Sequence, residues 1–152
     1  MASSVVSELV LFIVSLLVAG MVAGGLYVAT QSISDGLTVK GREVAASLRT
    51  DFEIINDPES IPYDPSSDSY VFYVRNTGRE AFSFDPRSVV VMVDGNIVPS
   101  SNLTFVPSGL LAPYEVGRVY VPASFIGSGG YHRITLVLEN GKKRMLIFRT
   151  GV

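Results

Sequence analysis

Few residues in this chain have types and spacing suited to chemistry. His132 is the sole histidine and cysteine is absent, so no His or Cys set of metal-ligand spacing can form. A lone imidazole at the start of an apolar run reads as a rim residue rather than a catalytic base. No serine sits in a G-x-S-x-G context, and Gly127-Ser128-Gly129-Gly130 lacks the lysine of a phosphate-cradling loop. Asp64, Asp68 and Asp85 follow no calcium-loop spacing and read as solvated turn carboxylates. Lys142-Lys143-Arg144 reads as a charged guard on an edge strand. These patterns point away from an enzyme: no catalytic residue, metal site or cofactor is expected.

Two positions offer chemistry of another kind. Asn102-Leu103-Thr104 is an acceptor sequon for N-glycosylation, set between Pro99 and Pro107 where a loop would present it. Glu8 is the last charged residue before a long apolar run, near the positive end of the helix that the run predicts. It reads as an interfacial carboxylate or as an assembly contact with a neighbouring copy.

The element that must position Glu8 is the run Leu9 to Thr30. No Asp, Glu, Lys, Arg or His occurs between Glu8 and Asp35. At about 1.5 Å per residue this stretch spans roughly 33 Å as a helix, enough to cross a hydrocarbon core of about 30 Å. It shows no polar stripe, as a buried helix of a soluble domain would. A cleaved signal peptide would begin with Lys or Arg and carry a shorter apolar core. Residues 1–8 contain no basic residue, so they are expected to stay attached as a short uncleaved leader. Within the run, Gly20 and Gly24 form a GxxxG pair, and Ser15, Ala19 and Ala23 repeat small residues at the same spacing. Small side chains four apart let helices approach closely in lipid, which suits a homo-oligomeric bundle.

Residues 31–50 continue the helical pattern as a juxtamembrane stalk. Ile33, Leu37, Val44 and Leu48 recur at intervals of four and seven, while Gly36 and Gly41 weaken the helix by about 1 kcal/mol each. Ser3 and Ser4 are expected to cap its first turn. Lys40, Arg42 and Arg49 follow the apolar run and none precedes it, which on charge alone would put the larger domain in the cytoplasm. The net charge of -2 argues against nucleic acid as a partner.

From Asp51 to Val152 short apolar runs alternate with turn signals, and the reading is an all-β, immunoglobulin-like sandwich. Strands are expected over 50–56, 69–76, 80–84, 88–93, 96–99, 103–106, 116–121, 131–139 and 142–149. Asn140-Gly141 is expected as a two-residue hairpin loop. That loop would place Leu136 opposite Met145, Ile134 opposite Ile147, Glu139 opposite Lys142 and Arg133 opposite Phe148.

The opening ASSVVSELVLFIVSLLVAGMVAG, the segment Arg49-Thr-Asp-Phe-Glu-Ile-Ile-Asn-Asp-Pro58, Val74-Arg-Asn-Thr-Gly78 and Val93-Asp-Gly95 resemble the archaellum protein G family, FlaG. Its relative FlaF is the second choice. The resemblance covers essentially the whole chain. It implies a type IV pilin-like amino-terminal transmembrane helix, a single pass through the cell membrane and an extracytoplasmic β-sandwich. It also implies an accessory of the archaeal motility motor that self-assembles and, paired with its paralogue, ties the motor to the surface layer as a stator. On topology it opposes the charge count, and the extracytoplasmic placement is adopted. Glu8 matches the position where pilin-like subunits carry a glutamate. The unprocessed leader departs from archaellins and pilins proper. Alternatives are a pilin- or archaellin-like filament subunit and a monomeric surface-layer-binding module.

Overall fold

The structure, a computed structural model, describes residues 2–151. Met1, first of the expected leader, and Val152, last of the expected β domain, lie outside the described residues. The chain forms two compact units with the boundary after Val44.

The first unit is helical. A single helix, α1 (Ala2–Arg49), includes the predicted apolar run and the predicted stalk as far as Arg49, and its last turn from Ala45 belongs to the second unit. By length and composition α1 can cross a membrane. Its hydroxyls are turned back onto its own carbonyls: Ser15 Oγ donates to Leu11 O at 2.7 Å and Thr30 Oγ1 to Leu26 O at 2.8 Å. That pairing satisfies polar groups where lipid offers no partner. Ser3 and Ser4 already lie inside α1, so neither is the residue preceding the helix that a cap requires.

The second unit is a β-sandwich. Its larger sheet contains β1 (Phe52–Ile54), β3 (Ser69–Asn76), β9 (Val116–Pro122) and β7 (Thr104–Val106) in that order, with β2 (Tyr63–Asp64) also on β3. The facing sheet runs β11 (Lys143–Thr150), β10 (Gly130–Val137), β5 (Val90–Val93), β6 (Asn96–Ile97). A third, two-stranded sheet pairs β4 (Phe82–Phe84) with β8 (Gly109–Leu111). All pairings are antiparallel.

Alternation of side chains on these strands puts one face of each sheet inside. Phe72 of β3 meets Phe148 of β11 edge-on across the core at 5.1 Å, and Phe84 of β4 meets Phe105 of β7 at 4.9 Å. All four rings are buried, with Phe72, Phe84 and Phe148 fully enclosed. Gly117 leaves room on β9 for the Phe84 ring, where an added Cβ would lie 2.7 Å from Cζ.

The final hairpin differs from expectation by one residue. Leu138 N donates to Lys142 O and Gly141 N to Leu138 O, so Glu139-Asn140-Gly141 form a three-residue loop with Gly141 at φ +79°. This is a type I turn closed by a left-handed glycine, the alternative to the two-residue loop. The register becomes Leu136↔Arg144, Ile134↔Leu146, Thr135↔Met145 and Arg133↔Ile147. The predicted pairs of Leu136 with Met145 and Ile134 with Ile147 are therefore incorrect. A shift of one residue turns a strand over, and Met145 and Ile147 stand outside at 59% and 58% exposure.

Candidate functional site

The candidate site is the place where the last turn of α1 is fastened into the sandwich. Backbone continuity begins it. Thr50 N and Thr50 Oγ1 both donate to Ala46 O at 3.0 Å, which closes the last helical turn. Beyond it, the carbonyls of a helix end lack intrahelical partners, and here other parts of the unit supply them. Lys142, just after the β10–β11 loop, donates from Nζ to Thr50 O at 2.9 Å and Ser47 O at 3.4 Å. Arg79 N donates to Arg49 O at 2.7 Å. A cation at the negative end of the helix dipole is favourably placed.

Asp51 follows as a charged node. Its Oδ1 accepts from Arg144 at 2.7 Å and lies 3.7 Å from Lys142 Nζ. Its own carbonyl accepts from the amides of Thr77 and Gly78, each at 3.0 Å. Gly78 is required by space: an added Cβ would run into the carbonyl of Arg49 and the amide of Asp51. Asn76, fully buried, braces the same turn. Its Nδ2 donates to Glu80 O and Leu111 O, both at 2.9 Å, and its Oδ1 accepts from Gly78 N at 2.9 Å. The Asn76-Thr77-Gly78 string is thus the seat on which the chain leaving α1 rests.

The second string behind the family resemblance has a related task. Asn56 Oδ1 accepts from Tyr73 N at 2.6 Å and its Nδ2 donates to Val71 O at 2.9 Å. The side chain extends the β1–β3 ladder past the last true strand residue. Pro58 O then accepts from Arg149 N at 2.8 Å, tying this segment to β11.

The predicted association residues all lie on α1. Glu8 is exposed in its second turn. Ala19 and Ala23 line a shallow groove with Ser15, Val18 and Val22. Gly20 and Gly24 form a second small-residue stripe, about 100° round the helix from the first, with nothing within 4 Å of an added Cβ. Asn102 is exposed at the end of a 3-10 turn (Ser100–Asn102), its Oδ1 accepting from Ser101 Oγ at 2.8 Å.

Of the basic run read as an edge guard, only Lys143 points away from the joint into solvent; Lys142 and Arg144 hold α1's end. His132 is on β10 and largely covered. Its Nδ1 lies 2.7 Å from Asp94 Oδ2, and its Nε2 is buried without a partner. That bond, with the Arg133 amide on Oδ1, holds the Asp94 carboxyl below the usual carboxylate range. Asp85 is held low likewise, by the amide of Arg87 and the hydroxyl of Ser88. Sequence reasoning did not find Lys142, Asp51, Asn76 or Gly78 as one cluster. The available signal was an Asn two residues before a Gly, and a lysine at a turn.

Residues 2–148 match the archaeal-type flagellin family. Flagella-related protein G of Methanocaldococcus jannaschii is 39% identical over 149 residues, covering 96% of this chain and 95% of the relative. Flagella-related protein G of Methanococcus voltae is 36% identical over 148 residues, 95% of each chain. Among solved structures, the archaellum periplasmic stator protein FlaG from Sulfolobus acidocaldarius aligns with TM-score 0.48 and 26% identity, over 65% of this chain and 99% of that one.

Proposed function

The chain belongs to the archaeal-type flagellin family, with flagella-related protein G among its relatives, and from that premise we propose a membrane-anchored structural component of the archaellum. In this reading α1 crosses the cell membrane once over residues 9–30 and continues as a stalk over 31–50. The sandwich of residues 51–152 stands outside as part of the stator. Copies gather through Gly20, Gly24, Ala19 and Ala23, with Glu8 at the membrane edge as an assembly contact. The paralogous accessory protein and the surface layer are the other partners, and Asn102 carries a glycan. The role is structural rather than enzymatic.

The observation that carries the mechanical role is the joint. A force on the chain enters the sandwich through Arg49–Asp51, and five side-chain or backbone donors grip that segment from Thr77–Arg79 and the β10–β11 hairpin. A loosely tethered binding module has no use for such a seat. The test is imaging of purified full-length protein beside a Gly20→Leu, Gly24→Leu variant. The proposal expects filaments from the natural chain and their loss from the variant, since bulky side chains keep helices apart in lipid. Equal filaments from both contradict the helix-packing part, and a strict monomer with surface-layer affinity favours the binding module. A second reading, a processed filament subunit, draws on the flagellin family match. The mature mass separates the two, because a subunit of that kind loses its leader.

A further inference from the structure

We infer that the outer face of the β11–β10–β5–β6 sheet docks head-to-tail against the acidic β1–β2 edge of a second copy. This inference rests on the self-assembly proposed above and names the surface that would serve it.

The outer face is apolar in the middle and cationic around it. Tyr131, Met145, Ile147 and Ile97 are 69%, 59%, 58% and 65% exposed. Register brings them onto one surface: Arg133 faces Ile147, Thr135 lies between Met145 and Met92, and Met92 faces Ile97. Arg133, Lys143 and Arg149 rim this patch. Among the described residues no carboxylate forms an ion pair with any of them. No strand position on this face carries Asp or Glu. Exposed apolar surface rimmed by charge is the signature of a contact site.

The complement is on the same chain. Between Arg49 and Arg75 there is no Lys or Arg, while Glu53, Asp57, Glu59, Asp64 and Asp68 fall there. β1 and β2 lie along one side of β3, so Glu53 and Asp64 share a sheet edge, with Asp57 and Glu59 in the segment that joins the two strands and Asp68 in the turn after β2. Ile55 and Tyr63 supply apolar surface among them, at 48% and 49% exposure. With a net charge of only -2 for the whole chain, this separation of sign is local patterning. Two-fold pairing of the basic face with itself would set Arg133, Lys143 and Arg149 against like charges. The favourable pairing sets the basic face of one copy on the acidic edge of the next, and repeated head-to-tail such a contact builds a ring or an open filament.

The test reconstitutes an equal mixture of isotopically light and heavy full-length protein in phosphatidylcholine vesicles. A zero-length carbodiimide then couples amines to carboxylates, and mass spectrometry maps the products. The inference expects mixed-isotope coupling of Lys143 to Glu53, Asp57 or Glu59, falling about tenfold between 50 mM and 500 mM salt. An Arg133→Glu, Lys143→Glu, Arg149→Glu variant alone should lose the coupling. Mixing it with a Glu53→Lys, Asp57→Lys, Glu59→Lys variant should restore it. Mixed-isotope coupling elsewhere, with none at Lys143, overturns this surface but leaves helix-driven assembly standing. Lys143 coupled only to an added paralogue, or shielded only on phosphatidylglycerol vesicles, overturns the second copy as occupant. No mixed-isotope product at any site overturns both this surface and self-assembly itself.

Discussion

Lys142 Nζ donates to the backbone carbonyl of Thr50 at 2.9 Å, across 92 positions of sequence. It caps the end of α1 from the β10–β11 hairpin, while Arg144, two residues on, pairs with Asp51. The last hairpin thus does two jobs with opposite faces. One face of β11 grips the chain leaving the helix, and the other presents Met145 and Ile147 to solvent.

Lys142→Ala removes the donor to two helix-end carbonyls and leaves them partly covered. The expected loss is about 1–2 kcal/mol, read as a lower thermal midpoint of the full chain in detergent micelles. Because the chain has no tryptophan, tyrosine fluorescence or near-ultraviolet dichroism is the probe. A Lys142→Ala variant as stable as the natural chain would show that the cap is ornamental.

Gly78→Ala places a methyl group where the backbone of Arg49 and Asp51 already lies, with Thr50 C 3.1 Å from the added carbon. Backbone cannot rotate aside as a side chain can, so the variant is expected to lose about 2–3 kcal/mol. An Ala placed at Gly151, where nothing lies within 4 Å of the added carbon, is the matched control and should change little.

Asn76→Ala strips three hydrogen bonds from a fully buried position. Carbonyls of Glu80 and Leu111 lose a donor inside the protein and the amide of Gly78 is left with the Asp51 carbonyl alone, at a cost of about 3 kcal/mol or more. Asn76→Asp retains the acceptor for Gly78 but cannot donate, and should be at least as damaging. Urea unfolding midpoints of the three proteins give the order.

Much of this was legible in sequence, and the failures have physical causes. β3 was predicted at its observed bounds, because the continuous apolar run Tyr70–Val74 and the Asn-Thr-Gly stop both mark it. β2 and β8 were missed: Tyr63–Asp64 and Gly109–Leu111 are too short to show a period. The hairpin register failed because Asn-Gly also closes three-residue loops, and local sequence does not distinguish the two. The joint was invisible for a different reason. Its bonds connect residues 49–51 with 77–79 and 142–144, and no local pattern carries a contact of that range.

Stability should respond to acid through Asp94. Its folded-state carboxyl is held below the unfolded range by His132 first, with the Arg133 amide assisting. A depressed carboxylate contributes stability above its unfolded pKa of about 3.9, and that contribution is lost as pH falls through the folded value. Asp94→Asn keeps a residue tolerant of the left-handed turn conformation seen there, φ +51°. The gap in thermal midpoint between the two proteins should therefore be open near pH 6 and close below about pH 4. Its size is small, about 0.5 kcal/mol, since the Asp94 side chain is 43% exposed and solvent screens it. A gap that widens on acidification would reverse the sign of the argument.

In the proposed topology a helix lodged in the membrane carries this sandwich outside the cell. Protease added to intact cells, followed by membrane isolation and immunodetection of the sandwich, tests it most directly. The sandwich is expected to be cleaved without lysis while an α1-containing fragment stays with the membranes. Protection of the sandwich until the cells are broken, or recovery of the whole chain in the soluble fraction, would contradict it.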